Sequence, residues 1–288
     1  MNFLQVALLR SYPANLTTKF AVGRFPIGLA FDGAHIWVAN NNDNTVSRLR
    51  ACDGAIVGTF NVGTFPEDVV FDGAHAWVAN SGSNNVTKIS GASGAVVGTF
   101  PAGTTPEGLA FDGANIWVAN SGSNKVTKLR ASDGATLGSF AAGNQPRAVA
   151  FDGTNIWVTN RLGNNVTKLR ADGASLGTFA VGTFPLGVAF DGSHVWVANA
   201  NSNNVTKLRA SNGAPLGTFP AGTSPHGLAF DGTNVWVANT GSNDVTLLRA
   251  ADGVHLGTFP VDESPQGIAF DGANVWVANA VSNTVSKL

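Results

Sequence analysis

The chain predicts an all-β fold: a seven-bladed β-propeller of four-stranded antiparallel blades, with the last blade composed from both termini. Three observations carry this. The motif Trp-Val-(Ala/Thr)-Asn recurs with its Trp at 37, 77, 117, 157, 196, 236 and 276, spaced by 40 residues at every step but one, which is 39. A fixed period of this size marks a repeat architecture rather than two ordinary domains, so the 288 residues read as a single propeller domain. Each period holds four short β-rich runs about ten residues apart, bounded by Gly-containing turns and without helical periodicity. Consecutive hairpins make a meander that is apolar on both faces, and neighbouring sheets must cover it. A ring of blades does so, whereas Asp-Gly hairpins do not build the parallel coils of a solenoid.

The third unit shows the elements in order. Pro106-Glu-Gly-Leu-Ala-Phe111 is the first strand, opening on a proline where the missing N–H costs little. Asp112-Gly113 turns the chain into Ile116-Trp-Val-Ala119, the second strand. Asn120 to Asn124 is a polar loop, and its leading Asn is expected to bond backbone there. Val126-Thr-Lys-Leu-Arg130 is the third strand, and its Thr-Lys pair reads as solvent-facing. Asp133-Gly134 reads as a type I′ hairpin signal leading into the fourth strand, Thr136-Leu-Gly-Ser-Phe140.

The first complete first strand begins at Pro26. Before it, Val6-Ala-Leu-Leu-Arg10 matches a third strand and Leu16-Thr-Thr-Lys-Phe20 a fourth. The C-terminal end supplies strands one and two from Pro265 to Asn279 and another third strand at Val285-Ser-Lys-Leu288. One third strand is therefore surplus, and either terminus could fill that place in the closing blade.

Composition limits the function classes. Charged residues are 12%, about half of the usual share of roughly 25%, and the net charge is −1. No global field draws in nucleic acid or an anionic membrane. No apolar run reaches the ~18 residues of a spanning helix. Phe3 to Leu9 lacks a basic flank and a cleavage site, so it does not read as a signal peptide. Cys52 stands alone, which excludes a disulfide framework and a cysteine metal cluster. Few Cys and Lys among many Asn, Ser, Thr and Gly suit an extracellular or periplasmic protein, and a monomer is expected.

The string Pro-x-Gly-Leu-Ala-Phe-Asp-Gly-x-x-(Ile/Val)-Trp-Val-Ala-Asn, followed by Asn-x-Val-Thr-Lys-Leu, resembles the YVTN branch of the NHL-type propellers. Trp157-Val-Thr-Asn160 comes nearest to that family's Tyr-Val-Thr-Asn. The resemblance covers nearly the whole chain and implies the propeller fold, but it is poor for function because these propellers do many things.

Near-identical units make the chain its own comparison set. The seven Trp are invariant and read as packing between blades; the Asp-Gly after the first strand reads as a turn former. The residue after the first-strand Pro varies instead: Ile27, Glu67, Glu107, Arg147, Leu186, His226 and Gln266. Asp68 and Ala148 replace the Gly that follows elsewhere. If the first strand is innermost, these side chains ring the channel mouth. Arg161, in the loop after the fourth unit's second strand, opens on the same face, and Phe25, Phe65 and Phe184 flank it. The fixity of the third-strand Thr-Lys, broken at Leu247, makes that variation look selected.

No HExxH, P-loop, paired-Cys or GxSxG motif is present. His35, His75 and His194 occupy a hairpin turn, and His255 lies in an outer strand. His226 alone is placed at the channel mouth. Ser224-Pro-His-Gly-Leu228 is similar to segments of the virginiamycin B lyase branch, which uses His and Glu with a divalent metal to open a cyclic peptide lactone. This chain departs from that branch: Asn stands throughout where the branch has an acid beside the second strand, and a second matching His is missing. Three functions compete. The first is a non-catalytic binding or scaffold propeller, without cofactor or bound metal, using the variable face for a protein or small molecule. The second is a metal-assisted lyase or hydrolase centred on His226. The third is a multivalent lectin with equal sites between blades.

Overall fold

The computed structural model describes residues 17–288. They form seven four-stranded antiparallel sheets, each a meander. Blades one to six are contiguous and begin at Pro26, Pro66, Pro106, Pro146, Pro185 and Pro225. The closing blade takes Pro265–Phe270, Val275–Asn279 and Thr284–Lys287 from the C-terminal side, and Thr18–Ala21 from the N-terminal side. Thr18 lies opposite Lys287 and Ala21 opposite Thr284, so the N-terminal strand is the outermost one. First strands of adjacent blades touch all round the axis, including the closing blade against blade one.

The C-terminal segment supplies the closing blade's third strand, and its side chains show why. Asn279 Nδ2 donates to Ser286 Oγ (2.9 Å), and Lys287 Nζ lies 5.0 Å over the Trp276 ring while donating to the Ala51 carbonyl of blade one. By sequence, Val6 to Arg10 carries Ala7 and Leu8 at those two places, with neither hydroxyl nor cation; that matching segment lies outside the described residues.

The core sits between blades. Successive side chains alternate faces along a strand. In blade three, Ile116, Val118 and Leu129 pack with Trp77 and Val86 of blade two, while Trp117, Ala119 and Val126 pack with Val149 and Ile156 of blade four. Each Trp leans on the fourth-strand Phe of its own blade, as Trp117 does on Phe140 at 5.7 Å. In the closing blade the Phe is Phe20, from the opposite end of the chain, at 5.6 Å from Trp276.

The Asp of each first Asp-Gly does more than turn the chain. Asp112 Oδ1 accepts from the Ala114 and Asn115 N–H groups, and Oδ2 accepts the Trp117 Nε1–H at 2.7 Å. The same Asp–Trp bond recurs in all seven blades, which gives the buried indole its donor partner.

Two sequence expectations are corrected. The third-strand Thr-Lys is not solvent-facing: Thr127, Lys88, Lys168 and Lys207 are buried. The Lys shares its face with Trp, and its ammonium bonds the next blade's hairpin carbonyl, as Lys168 Nζ does to Ala210 at 2.7 Å. Asp133-Gly134 is not a type I′ turn. Gly134 alone has positive φ (76°), and Arg130 and Ala135 close a four-residue loop. That Gly is also required by space, since a Cβ would stand 2.1 Å from the Phe100 ring of blade two. The expectation for the loop-leading Asn holds: Asn120 Oδ1 accepts from Gly103 N–H at 2.8 Å and its Nδ2 donates to Val118 O, with a further bond from Nδ2 to Thr127 Oγ1 at 2.9 Å.

Candidate functional site at the channel mouth

The site begins with a backbone device repeated seven times. The residue before each first-strand Pro is non-Gly and held at φ between 52° and 60°: Phe25, Phe65, Thr105, Gln145, Phe184, Ser224 and Ser264. Such conformations are costly for bulky side chains and persist only when the surroundings fix them. Here the N–H of each donates to an Asn from the loop of the preceding blade, at 2.8–2.9 Å; Phe25 N–H to Asn283 closes the circle. Sequence reading passed over these seven Asn. Their signal was an invariant Asn before each third strand, a residue type that tolerates the positive φ it adopts there.

Beyond the Pro, every first strand carries a bulge opposite its second strand, such as that between Pro106 and Leu109. A bulge re-aims the side chain it contains. The bulged residues line a central cavity of about 240 Å³ to which all seven blades contribute. The strands approach closely around the axis: a Cβ on Gly108 would stand 2.5 Å from Arg147 O, and one on Gly267 would stand 2.0 Å from Ile27 O. Where Gly is replaced, a compensating contact is present. Asp68 Oδ2 accepts the Leu109 N–H of the next blade at 2.9 Å. Ala148 N–H donates to Thr159 Oγ1, whose own hydroxyl donates to Leu186 O at 2.7 Å. Thr159 is the one Thr in the Trp-Val-(Ala/Thr)-Asn series.

The expected ring residues are brought together, but deeper than an exposed rim. Ile27, Glu107 and Leu186 are buried. Blades two to four supply a linked set of charges. Arg147 Nε stands 3.0 Å from Glu107 Oε2, and Arg147 Nη2 stands 3.6 Å from Glu67 Oε2, reaching past blade three. Side-chain exposures are 11% for Arg147, 9% for Glu107 and 18% for Glu67. Arg161 Nη2 is 3.7 Å from Glu107 Oε1 and 3.0 Å from Gln145 Oε1, and its guanidinium lies over Phe184. Glu107 Oε1 accepts from Ser121 Oγ, and Glu67 Oε1 accepts from Ser81 Oγ and Asn41 Nδ2.

Burial pushes the Asp68 carboxyl up to about 6, against the Leu109 and Val69 N–H groups and the Arg147 charge, which hold it down. The acids around Arg147 raise its pKa further against the opposing effect of burial. Burial, then the Arg147 and Arg161 charges, lower His226 to about 3, so its imidazole is neutral at ordinary pH. The opposite wall, from Leu186 through His226 to Ile27, carries no net charge. Glu107, Gln266 and Arg161 stand outside the cavity lining.

The residues do not fit the metal centre that the lyase resemblance implies. Among the described residues no three His, Cys, Asp or Glu side chains stand together to hold an ion. Glu67 and Glu107 face Arg147, and His226 feels arginines rather than acids. A neutral imidazole with so low a pKa is also a poor general base.

Comparison with solved structures shows the same architecture. A streptogramin B lyase superposes with a TM-score of 0.82 at 20% identity, covering 94% of this chain and 96% of that one. A Kuenenia stuttgartiensis hydrazine synthase chain gives 0.81 at 19% identity, with coverage of 92% and 95%. Selenomethionine-substituted virginiamycin B lyase from Staphylococcus aureus gives 0.81 at 19%, with 94% and 98%. At these identities the likeness is one of fold. No protein-family model and no curated protein matches the chain.

Proposed function

We propose that the chain is a non-catalytic binding propeller that takes a small molecule in its channel mouth. The observation that carries this reading is the polarised cavity: one wall with the mostly buried charges Glu67, Asp68 and Arg147 faces a neutral wall of Leu186, His226 and Ile27. Convergent polar groups in a concave, preformed opening are the usual mark of a ligand site. The volume of about 240 Å³ lies below the roughly 300–1,000 Å³ of drug-sized sites. That favours a compact ligand with one polar and one apolar end over a protein segment.

The test is a thermal-shift screen of the full chain against small zwitterions, carboxylates and amines, repeated on Leu186→Trp, which fills the channel. A compound that stabilises the wild type and not the variant supports the reading. Stabilisation that survives the filled channel places the ligand elsewhere, and a screen in which no compound class shifts the wild type removes the proposal.

A further inference from the structure

The charges and the backbone around the channel mouth fix the sign of the group that fits there. Three acids, Glu67, Asp68 and Glu107, stand against two bases, Arg147 and Arg161, so the linked set is one negative charge in excess. The excess falls on Asp68. Arg147 turns its Nε to Glu107 and its Nη2 to Glu67, and Arg161 reaches Glu107. Among the described residues Asp68 is in no ion pair, and its two oxygens accept the Val69 and Leu109 N–H groups at 2.9 Å each. Each oxygen keeps a further lone pair to offer. Five blades close the ring with Gly at this place, so the packing does not require the carboxylate.

The backbone beside Asp68 points to the same sign. Hydrogen-bonded and non-bonded pairs alternate along an antiparallel ladder. Asp112 N–H donates to Asn115 O at the hairpin, which makes that pair a bonded one. Leu109, three residues earlier and opposite Val118, therefore falls on a non-bonded pair. Its N–H and C=O both point off the free edge of the innermost strand, toward the channel. The bond from Leu109 N–H to Asp68 agrees with that direction. Val69, opposite Val78 and three residues before Asp72, is placed in the same way. Asp68 takes both N–H groups, and Thr159 takes that of Ala148. What this part of the wall has left is acceptors: the Asp68 oxygens and the Val69 and Leu109 carbonyls.

We infer that the channel's ligand is a small aliphatic amine, held as its ammonium ion by Asp68 with its hydrocarbon end toward Leu186 and Ile27; this rests on the reading of the channel mouth as a small-molecule site. An ammonium has three donors and no acceptor, which matches the groups left open. At pH 7 the Asp68 carboxyl, with its pKa of about 6, is mostly ionised and ready for a cation.

The experiment is isothermal titration calorimetry on the full chain at pH 7, with butylammonium, 1-butanol and butyrate as probes. The proteins are the wild type, Leu186→Trp, Asp68→Asn and Asp68→Gly, the last restoring the residue that five blades already carry. Butylammonium is expected to bind the wild type more tightly than either other probe and to be excluded by Leu186→Trp. Both Asp68 variants should bind it about ten- to a hundredfold more weakly, the worth of one hydrogen bond between charged groups. Undiminished binding of butylammonium by Asp68→Gly overturns the inference, as does equal binding of 1-butanol by the wild type. Butyrate that binds the wild type best and is excluded by Leu186→Trp also overturns it, while leaving the channel mouth a small-molecule site. A wild type that binds none of the three probes removes the amine, and the wider thermal-shift screen then decides the site.

Discussion

Replacing Arg147 by Met is the sharpest test of how the channel mouth is held together. Arg147 stands 3.0 Å from Glu107 and 3.6 Å from Glu67, and all three side chains are less than a fifth exposed. At an effective dielectric of about 20, each contact is an attraction of about 5 kcal/mol before desolvation. Removing the cation leaves the desolvation of two acids uncompensated, and breaking such a pair typically costs about 3–5 kcal/mol. With roughly 2–4 °C of apparent Tm per kcal/mol in domains approaching this size, the loss is on the order of 10 °C. Differential scanning calorimetry at pH 7 measures it. The double variant Arg147→Met with Glu107→Gln should recover part of the loss, because one stranded charge is gone. An Arg147→Met protein melting within about 1 °C of the wild type would refute the reasoning and return these residues to an exposed, weakly coupled rim.

His226→Gln, which copies the side chain of Gln266 in the closing blade, should reduce acid sensitivity. The folded pKa of about 3 lies below the usual 6.5, so stability from the neutral imidazole is present above pH 6.5 and is lost as pH falls toward 3. The loss amounts to up to about 2 kcal/mol at pH 5. Asp68, raised to about 6, acts in the opposite sense between pH 6 and 3.8, so urea midpoints of variant and wild type are compared at each pH; parallel curves would contradict the assignment. Lys168→Leu should cost about 1–3 kcal/mol by chemical denaturation, since the Ala210 and Ser211 carbonyls lose a charged donor. An unchanged midpoint would mean that the clamp is idle. Trp157→Ala should cost about 3–5 kcal/mol and abolish no binding selectively; a lost ligand at unchanged Tm would give the ring another role. Deleting residues 1–21 removes Phe20 from Trp276 and exposes the third strand as an edge, so size-exclusion chromatography should show aggregates or exchanged dimers, not a stable monomer.

Much of the fold was legible because it is periodic. The Trp spacing counted the blades, and the strand-like segment ending at Phe20 foretold the composite closure. The Lys clamp was missed although its parity was plain: Lys128 lies two residues from Val126 and opposite Trp117, on a face that the ring buries. The usual rule sends a strand Lys to solvent, but a propeller blade has no solvent face. At the channel mouth the positions were legible from their variation. The pairing of Glu67 with Arg147 was not, because it skips a blade and depends on the channel's width.

Variation among near-identical blades divides into two kinds once the contacts are known. One kind is compensated on the spot: Ala148 goes with Thr159, and Leu186 with an Ala200 where other blades carry Ser121 or Arg161. The other kind is the charge set Glu67, Asp68, Glu107, Arg147 and Arg161. Glu67, Glu107, Arg147 and Arg161 bond one another and their loops, and Asp68 bonds the Leu109 and Val69 N–H groups, yet nothing in the packing calls for a charge at the position of Glu67, Glu107 and Arg147. Ile27 and Leu186 fill the same position in two blades of the same ring and are buried without any polar partner. Desolvating an ion pair rarely stabilises a protein more than an apolar pair of similar size. A ring built wholly of Ile and Leu at this position would therefore close at least as well. Charges kept in its place cost stability that the architecture does not return, and under the proposed binding function the polar group of a ligand in the adjoining cavity is what they would stabilise.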